Sequence, residues 1–156
     1  MRISNDVIEL IALVHAGASG FMFGLIWMVQ VVHYPLMGKV GEERYEEYQA
    51  GHMRQISWLV GPGMLIEGAT AVLLVSMVPA ELRWLTWIGI ALLVVVWGVT
   101  ATVHVPLHTK LTRGFDAAAH RKLCDLNWLR TAAWTGRVIV SLWLVREIFM
   151  QGGLEA

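Results

Sequence analysis

Four apolar stretches constrain this chain more than anything else in it: residues 7–32, 58–78, 82–103 and 128–150. Each is about 20 residues or longer, and a helix rising about 1.5 Å per residue then crosses a hydrocarbon core of about 30 Å. A soluble domain of 156 residues can hide one such helix in its core, but not four. The composition agrees, with 56% apolar and 15% charged residues and a mean hydropathy of +0.57. The expectation is an all-α protein: one integral membrane domain over residues 1–156, built as a four-transmembrane-helix bundle.

The polar parts exclude several classes. Twelve basic and twelve acidic residues balance, leaving no basic field for nucleic acid. Cys124 is the only cysteine, which removes internal disulfides and thiolate clusters. The opening MRISNDVIELIALVH lacks the charged start and small-residue cleavage site of a secretory signal, so the first span is expected to be retained. Trp58, Trp84, Trp87 and Trp128 fall near span ends, as an interfacial aromatic belt requires.

Pro79 marks a tight turn between the second and third spans, and the other two connections read as long. In the first of these, Tyr45, Tyr48, His52 and Ile56 share one helical face, while Glu42, Glu43, Glu46 and Glu47 crowd the other. That pattern predicts an amphipathic helix on the membrane surface with His52 turned inward; a solvated acidic connector is the alternative. The side with the long connections carries Lys39, Arg44, Arg54, Lys110, Arg113, Arg121 and Lys122, against Arg2, Arg83 and Arg146 on the other. This bias predicts an inner-membrane protein with both long loops in the cytoplasm and both termini outside.

His33, His52, His104, His108 and His120, five of six histidines, then gather on one side of the membrane. Neutral imidazole is a common ligand for copper, zinc and non-haem iron, so these five are candidate metal ligands. Pro106, between His104 and His108, is expected to bend or end the third helix. If the fourth helix starts early, near Asp116, then His120, Leu123, Asn127, Arg130, Trp134 and Arg137 form one stripe entering the bilayer. Glu67 and Arg137 lie at equal depths of about 15 Å in their spans, so an ion pair between them is natural. It serves either to lock two helices or to handle protons. The first span has a matching stripe: His15, Ser19, Met22, Ile26, Gln30 and His33. His15 stands about 27 Å from His33 along the helix and reads as a hydrogen-bonded core histidine. Gly17, Gly20 and Gly24 read as packing positions.

The segments VHVPLHTKL and DLNWLRTAAW resemble the end of the third span and the start of the fourth in the anthrone-oxygenase-like family of small four-helix membrane proteins. Family members read close to VNVPLN and WN-x-x-RT at these places. The resemblance singles out His104, Pro106, His108, Asn127, Arg130 and Thr131, with histidine at two positions where asparagine is usual. It implies oxygen-dependent oxidation, which in some members converts a polyketide anthrone to a quinone; the substrate itself does not transfer. Residues and resemblance together favour a membrane oxidoreductase acting on a small lipophilic, for example phenolic, substrate. Copper is favoured over non-haem iron as its metal, and a haem held by two histidines is a variant. Asn127 and Arg130 would orient ligands, Glu67 and Arg137 would sit in a proton path, and Trp58, Trp97, Trp128 and Trp134 would line a pocket. Two other classes stay open: a metal-handling or proton-coupled transport component, for which four spans require a homo-oligomer, and a non-catalytic assembly subunit.

Overall fold

The computed structural model describes residues 4–155, with side chains through residue 151; Arg2 lies outside the described residues. Four long helices account for nearly all of them: α1 (Asn5–Met37), α2 (Glu42–Met77), α3 (Ala80–Leu111) and α4 (Ala117–Glu155). The links between them are all short, at residues 38–41, 78–79 and 112–116. The first three helices are long and apolar enough to cross a membrane. α4 has the length, but Asn127, Arg130 and Arg137 on its inner face lower its hydropathy. Those groups are buried among the other helices.

The connections expected to be long are largely helix. Residues 42–57 are not a separate surface helix, because α2 runs unbroken from Glu42 to Met77. Its inner face is nonetheless the expected one: Tyr45 is buried, Tyr48 and His52 are half-buried, and Glu42, Glu43, Glu46 and Glu47 are exposed. At 36 residues α2 spans about 54 Å, so its acidic third projects beyond any hydrocarbon core of about 30 Å. Pro62 sits inside the helix without ending it. α4 starts at the expected early position: the Asp116 carboxylate accepts the Ala119 amide at 2.8 Å as an N-cap. The Lys110 ammonium pairs with the same carboxylate and, with the amide, holds its pKa below the usual range. Gly114, at φ 126°, supplies the left-handed turn that stops α3.

Neither HYPL (His33–Leu36) nor HVPL (His104–Leu107) ends its helix. Each proline is preceded by one widened π-turn, Val29–His33 in α1 and Thr100–His104 in α3. A proline has no N–H, and its ring crowds the carbonyl four residues back; a π-turn accommodates both, so the helix continues. The same device thus places a histidine at the end of each widened turn.

Consecutive helices run antiparallel. α4 packs along α1 and α3, α1 packs along α2, and α2 and α3 make the loosest neighbouring pair. Along the bundle, apolar and polar layers alternate. The end holding the 78–79 link is apolar, with Ala12, Leu74, Val78, Leu82, Leu85, Leu144 and Ile148. Next comes a polar layer centred on Glu67 and Arg137, then an apolar layer of Met22, Ile26, Val96, Ala133 and Trp134. A second polar layer with Gln30, Asn127 and Arg130 follows, and then a last apolar layer around Tyr34, Tyr45, Leu111 and Leu123.

Glu67 is wholly buried. Arg137 Nε donates to its Oε1 at 2.6 Å, Ser19 Oγ donates to the same oxygen at 2.9 Å, and Trp134 Nε1 donates to Oε2 at 3.1 Å. Arg137 Nη1 reaches the Gly89 carbonyl on α3. The cluster therefore joins all four helices, and removing one charge leaves the other stranded in an apolar interior. Arg137→Met is expected to lower stability by about 3–5 kcal/mol, read as a fall in the thermal unfolding midpoint in mild detergent. The double variant with Glu67→Leu is expected to recover most of that loss; an unchanged midpoint in the single variant would refute the clamp.

Candidate functional site

The second polar layer opens into a cavity of about 220 Å³, at the level where the two π-turns lie. All four helices line it: Met22, Ile26, Val29 and Tyr34 from α1, His52, Ile56, Val60 and Gly61 from α2, Thr100, His104 and His108 from α3, and Arg130 and Trp134 from α4. Most of this lining is apolar, with the polar groups gathered at one end. The lining also includes the exposed residues Ser57 and Val105 on the loosely joined pair α2 and α3.

His108 is the most fully engaged of the polar groups. Gln49 Nε2 donates to its Nδ1 at 2.9 Å, so Nε2 carries the ring proton and donates to Tyr34 Oη at 3.0 Å. The Tyr34 hydroxyl proton is then left to turn elsewhere. His52 lies against His108, with ring centroids 5.4 Å apart, and stacks on His33 at 4.3 Å. His104 is buried and donates Nδ1–H to the Val99 carbonyl at 3.3 Å, a bond the π-turn makes available. Its Nε2 is therefore a bare lone pair, buried and without a partner among the described residues; His33 Nε2 is likewise unpartnered among them.

On α4, Asn127 Nδ2 donates to Gln30 Oε1 at 2.8 Å, and Arg130 Nη1 donates to Asn127 Oδ1 at 3.2 Å. The Trp134 ring lies 5.2 Å from the Arg130 guanidinium carbon. Trp134 is also the indole tied to Glu67, so it forms a floor shared by cavity and clamp.

Four of the five candidate histidines come together here: His33, His52, His104 and His108. His120 does not. Its Nε2–H donates to the Tyr34 carbonyl at 2.8 Å, and its ring lies against Gly38 and Cys124, where it joins α4 to the end of α1. Among the described residues, no three His, Cys, Asp or Glu side chains stand ready as a metal-ligand set. The parallel stacking of His33 on His52 aims their lone pairs along separate planes, so a shared ion would require ring rotation. Asn127 and Arg130 border the cavity, whereas Glu67 and Arg137 lie one layer away beneath Trp134. Thr131 bonds back to the Asn127 carbonyl within its own helix. Of the four tryptophans expected to line a pocket, only Trp134 does. Trp58 is 76% exposed, Trp97 covers Gly68, and Trp128 packs edge-on against Trp27. His15 is a core histidine bonded to Thr70 at 2.9 Å.

Tyr34 and Gln49 were not singled out from the sequence. Tyr34 stands inside HYPL, between a histidine and a proline, and no spacing in the sequence marks it as inward-facing. Gln49 lies one turn beyond Tyr45 on the inward face of an otherwise acidic segment, and that lone inward amide was the available signal.

No protein-family model, curated protein or solved structure matches the chain, so the anthrone-oxygenase-like resemblance rests on its two short motifs. Gln49→Leu leaves His108 Nδ1 buried without its donor, and a loss of about 1–3 kcal/mol is expected in thermal unfolding. An unaltered midpoint would show that Gln49 does not hold His108 in place.

Proposed function

We propose that this protein is a four-span membrane oxidoreductase that takes a small lipophilic substrate from the bilayer into the cavity beneath the histidine cluster. Its redox partner is a histidine-held transition metal, with copper favoured over iron. The observation that carries the reading is the unpartnered, buried Nε2 of His104, whose other ring nitrogen is committed to the Val99 carbonyl. A ligating histidine is held in this way, with one N–H on a backbone acceptor and the opposite lone pair free. His33 Nε2 is also free, and the His52 ring stacks on the His33 ring at 4.3 Å. The donor set therefore suits a soft-to-borderline ion, with His33, His52 and His104 as holders and His108 fixed beside them by Tyr34 and Gln49. When bound, the metal would supply one-electron and dioxygen chemistry.

The chain's own residues do the remaining work. Met22, Ile26, Val29, Val60 and Trp134 take up the apolar body of the substrate and exclude water from it. Arg130, Tyr34 and His108 face its polar end. A cavity of about 220 Å³ is moderately larger than the roughly 150 Å³ space that accepts benzene. It suits a single ring with a short substituent, and a tricyclic body would project between α2 and α3.

The layering favours this reading over transport. The Glu67 layer is separated from the cavity by Met22, Ile26 and Trp134, and from the far end by seven buried apolar residues. A transport path would have to open both layers. The fourth span is read from the length of α4 and from the way Arg130 and Arg137 turn inward, Arg137 onto Glu67. The larger number of lysines and arginines at residues 39–54 and 110–122 than at the other end supports a cytoplasmic position for that end.

Two experiments test the proposal. After reconstitution with copper, iron or zinc, elemental analysis is expected to find stoichiometric metal in wild type and His120→Ala. Its loss is expected in His33→Ala, His52→Ala and His104→Ala. Substoichiometric metal in wild type would remove the redox reading. In a Cys124→Ala background, Lys39→Cys and Arg113→Cys are expected to react with an impermeant maleimide only after permeabilisation, and Glu81→Cys in intact cells. Opposite behaviour of positions 39 and 113 would refute the four spans, and a full reversal would refute the orientation.

A further inference from the structure

α4 carries two buried arginines, and the structure treats them differently. Arg137 has its carboxylate, with Glu67 Oε1 at 2.6 Å. Arg130 is 7% exposed, and among the described residues no carboxylate pairs with it. Its bonded partners, Asn127 and the Tyr34 hydroxyl oxygen, are both neutral, its guanidinium meets the Trp134 ring, and its Nε–H has no acceptor among the described residues. An arginine keeps its charge in proteins, and a buried positive charge is costly unless an anion or a strong set of acceptors meets it. The remaining wall of its surroundings is the cavity.

We infer that the cavity binds a lipophilic monoanion whose ionised oxygen docks against Arg130 and the Tyr34 hydroxyl, with its apolar body among Met22, Ile26, Val60 and Trp134. This rests on the reading of the cavity as a substrate site and adds the charge class of its occupant. Two donors converge. Arg130 offers Nε–H, and Tyr34, which lies beside the guanidinium, is free to offer O–H because His108 already supplies the proton in their shared bond. A charge-assisted bond to an anion satisfies both donors and completes the ion pair that the protein leaves open. His104 Nε2, a bare acceptor, contributes nothing to an anion and stays available for other chemistry. The ionised oxygen comes from a carboxylate or a phenolate, since both present it on an apolar body.

The test uses metal-free protein in nanodiscs of zwitterionic lipid, so that its result is independent of metal loading. Calorimetric binding of 4-ethylbenzoate is compared with that of neutral 4-ethylbenzamide, which has nearly the same shape. The benzoate is expected to bind about tenfold tighter or more, as a charge-assisted contact to a buried arginine requires. Arg130→Gln is expected to erase the difference while leaving benzamide binding in place, and Arg130→Lys to keep part of it. A nitrophenol studied at mildly alkaline pH, where it is ionised, supplies the second source of oxyanion. Tighter binding of either anion supports the inference, and their order assigns the source. Equal affinity for benzoate and benzamide in wild type, with no tighter binding of the ionised nitrophenol, would overturn the anion site and leave the lipophile-binding reading standing. Binding of neither would overturn both.

Discussion

Glu67 has no exposed surface and receives hydrogen bonds from Ser19 on α1 and from Trp134 and Arg137 on α4. A carboxylate in an apolar interior is tolerable only when its lone pairs are met by donors at fixed positions. These donors come from α1, beside α2, and from α4, across the bundle from it, and Arg137 extends the set to α3 through Gly89. One buried charge therefore sets the axial register of all four helices. Apolar side chains in lipid gain little from burying one another, so directional polar contacts are what distinguish one helix register from the next.

The cavity depends on that register. Trp134 is held by its indole N–H to Glu67 and presents its ring to Arg130. The floor of the site is thus anchored by the clamp below it, and the site end is shaped by the two proline-preceding π-turns. In α3 the widened turn frees the Val99 carbonyl to orient His104; in α1 it precedes Tyr34, whose hydroxyl meets His108 and whose carbonyl meets His120. His120 and His108 illustrate how the same residue type divides between tasks: one joins two backbones and the other borders a cavity.

Much of this was legible from spacing. The two inward stripes, His15 to His33 and His120 to Arg137, are buried over His15–Gln30 and Leu123–Arg137 as their helical periodicity requires, with the end members His33 and His120 half-buried, and Glu67 meets Arg137 because both lie equally deep. Periodicity does not report where a helix stops. HVP reads as a bend or an end because proline usually is one, and the π-turns that carry α1 and α3 through their prolines depend on tertiary packing. For the same reason, the pattern of the acidic segment before residue 58 suits a separate surface helix or a solvated connector, although nothing in it breaks α2. The histidine cluster was visible as a gathering at one end of the bundle. Its internal arrangement was not, since ring stacking and the bonds from Gln49 and Tyr34 depend on distances between helices.

The contrast between Arg137 and Arg130 connects architecture to chemistry. Both lie on the inner face of α4, about two turns apart, and both are removed from solvent. Were the two charges simply devices for joining helices, each would be expected to have its own carboxylate, because the cost of burial is the same for both. The chain supplies Glu67 to one and only an amide, an aromatic face and a neighbouring hydroxyl to the other. Asn127 is itself held by Gln30, so it orients the guanidinium without neutralising it. An oriented, uncompensated cation at the polar end of an apolar cavity is poorly suited to holding helices together and well suited to receiving an anionic group from outside the chain.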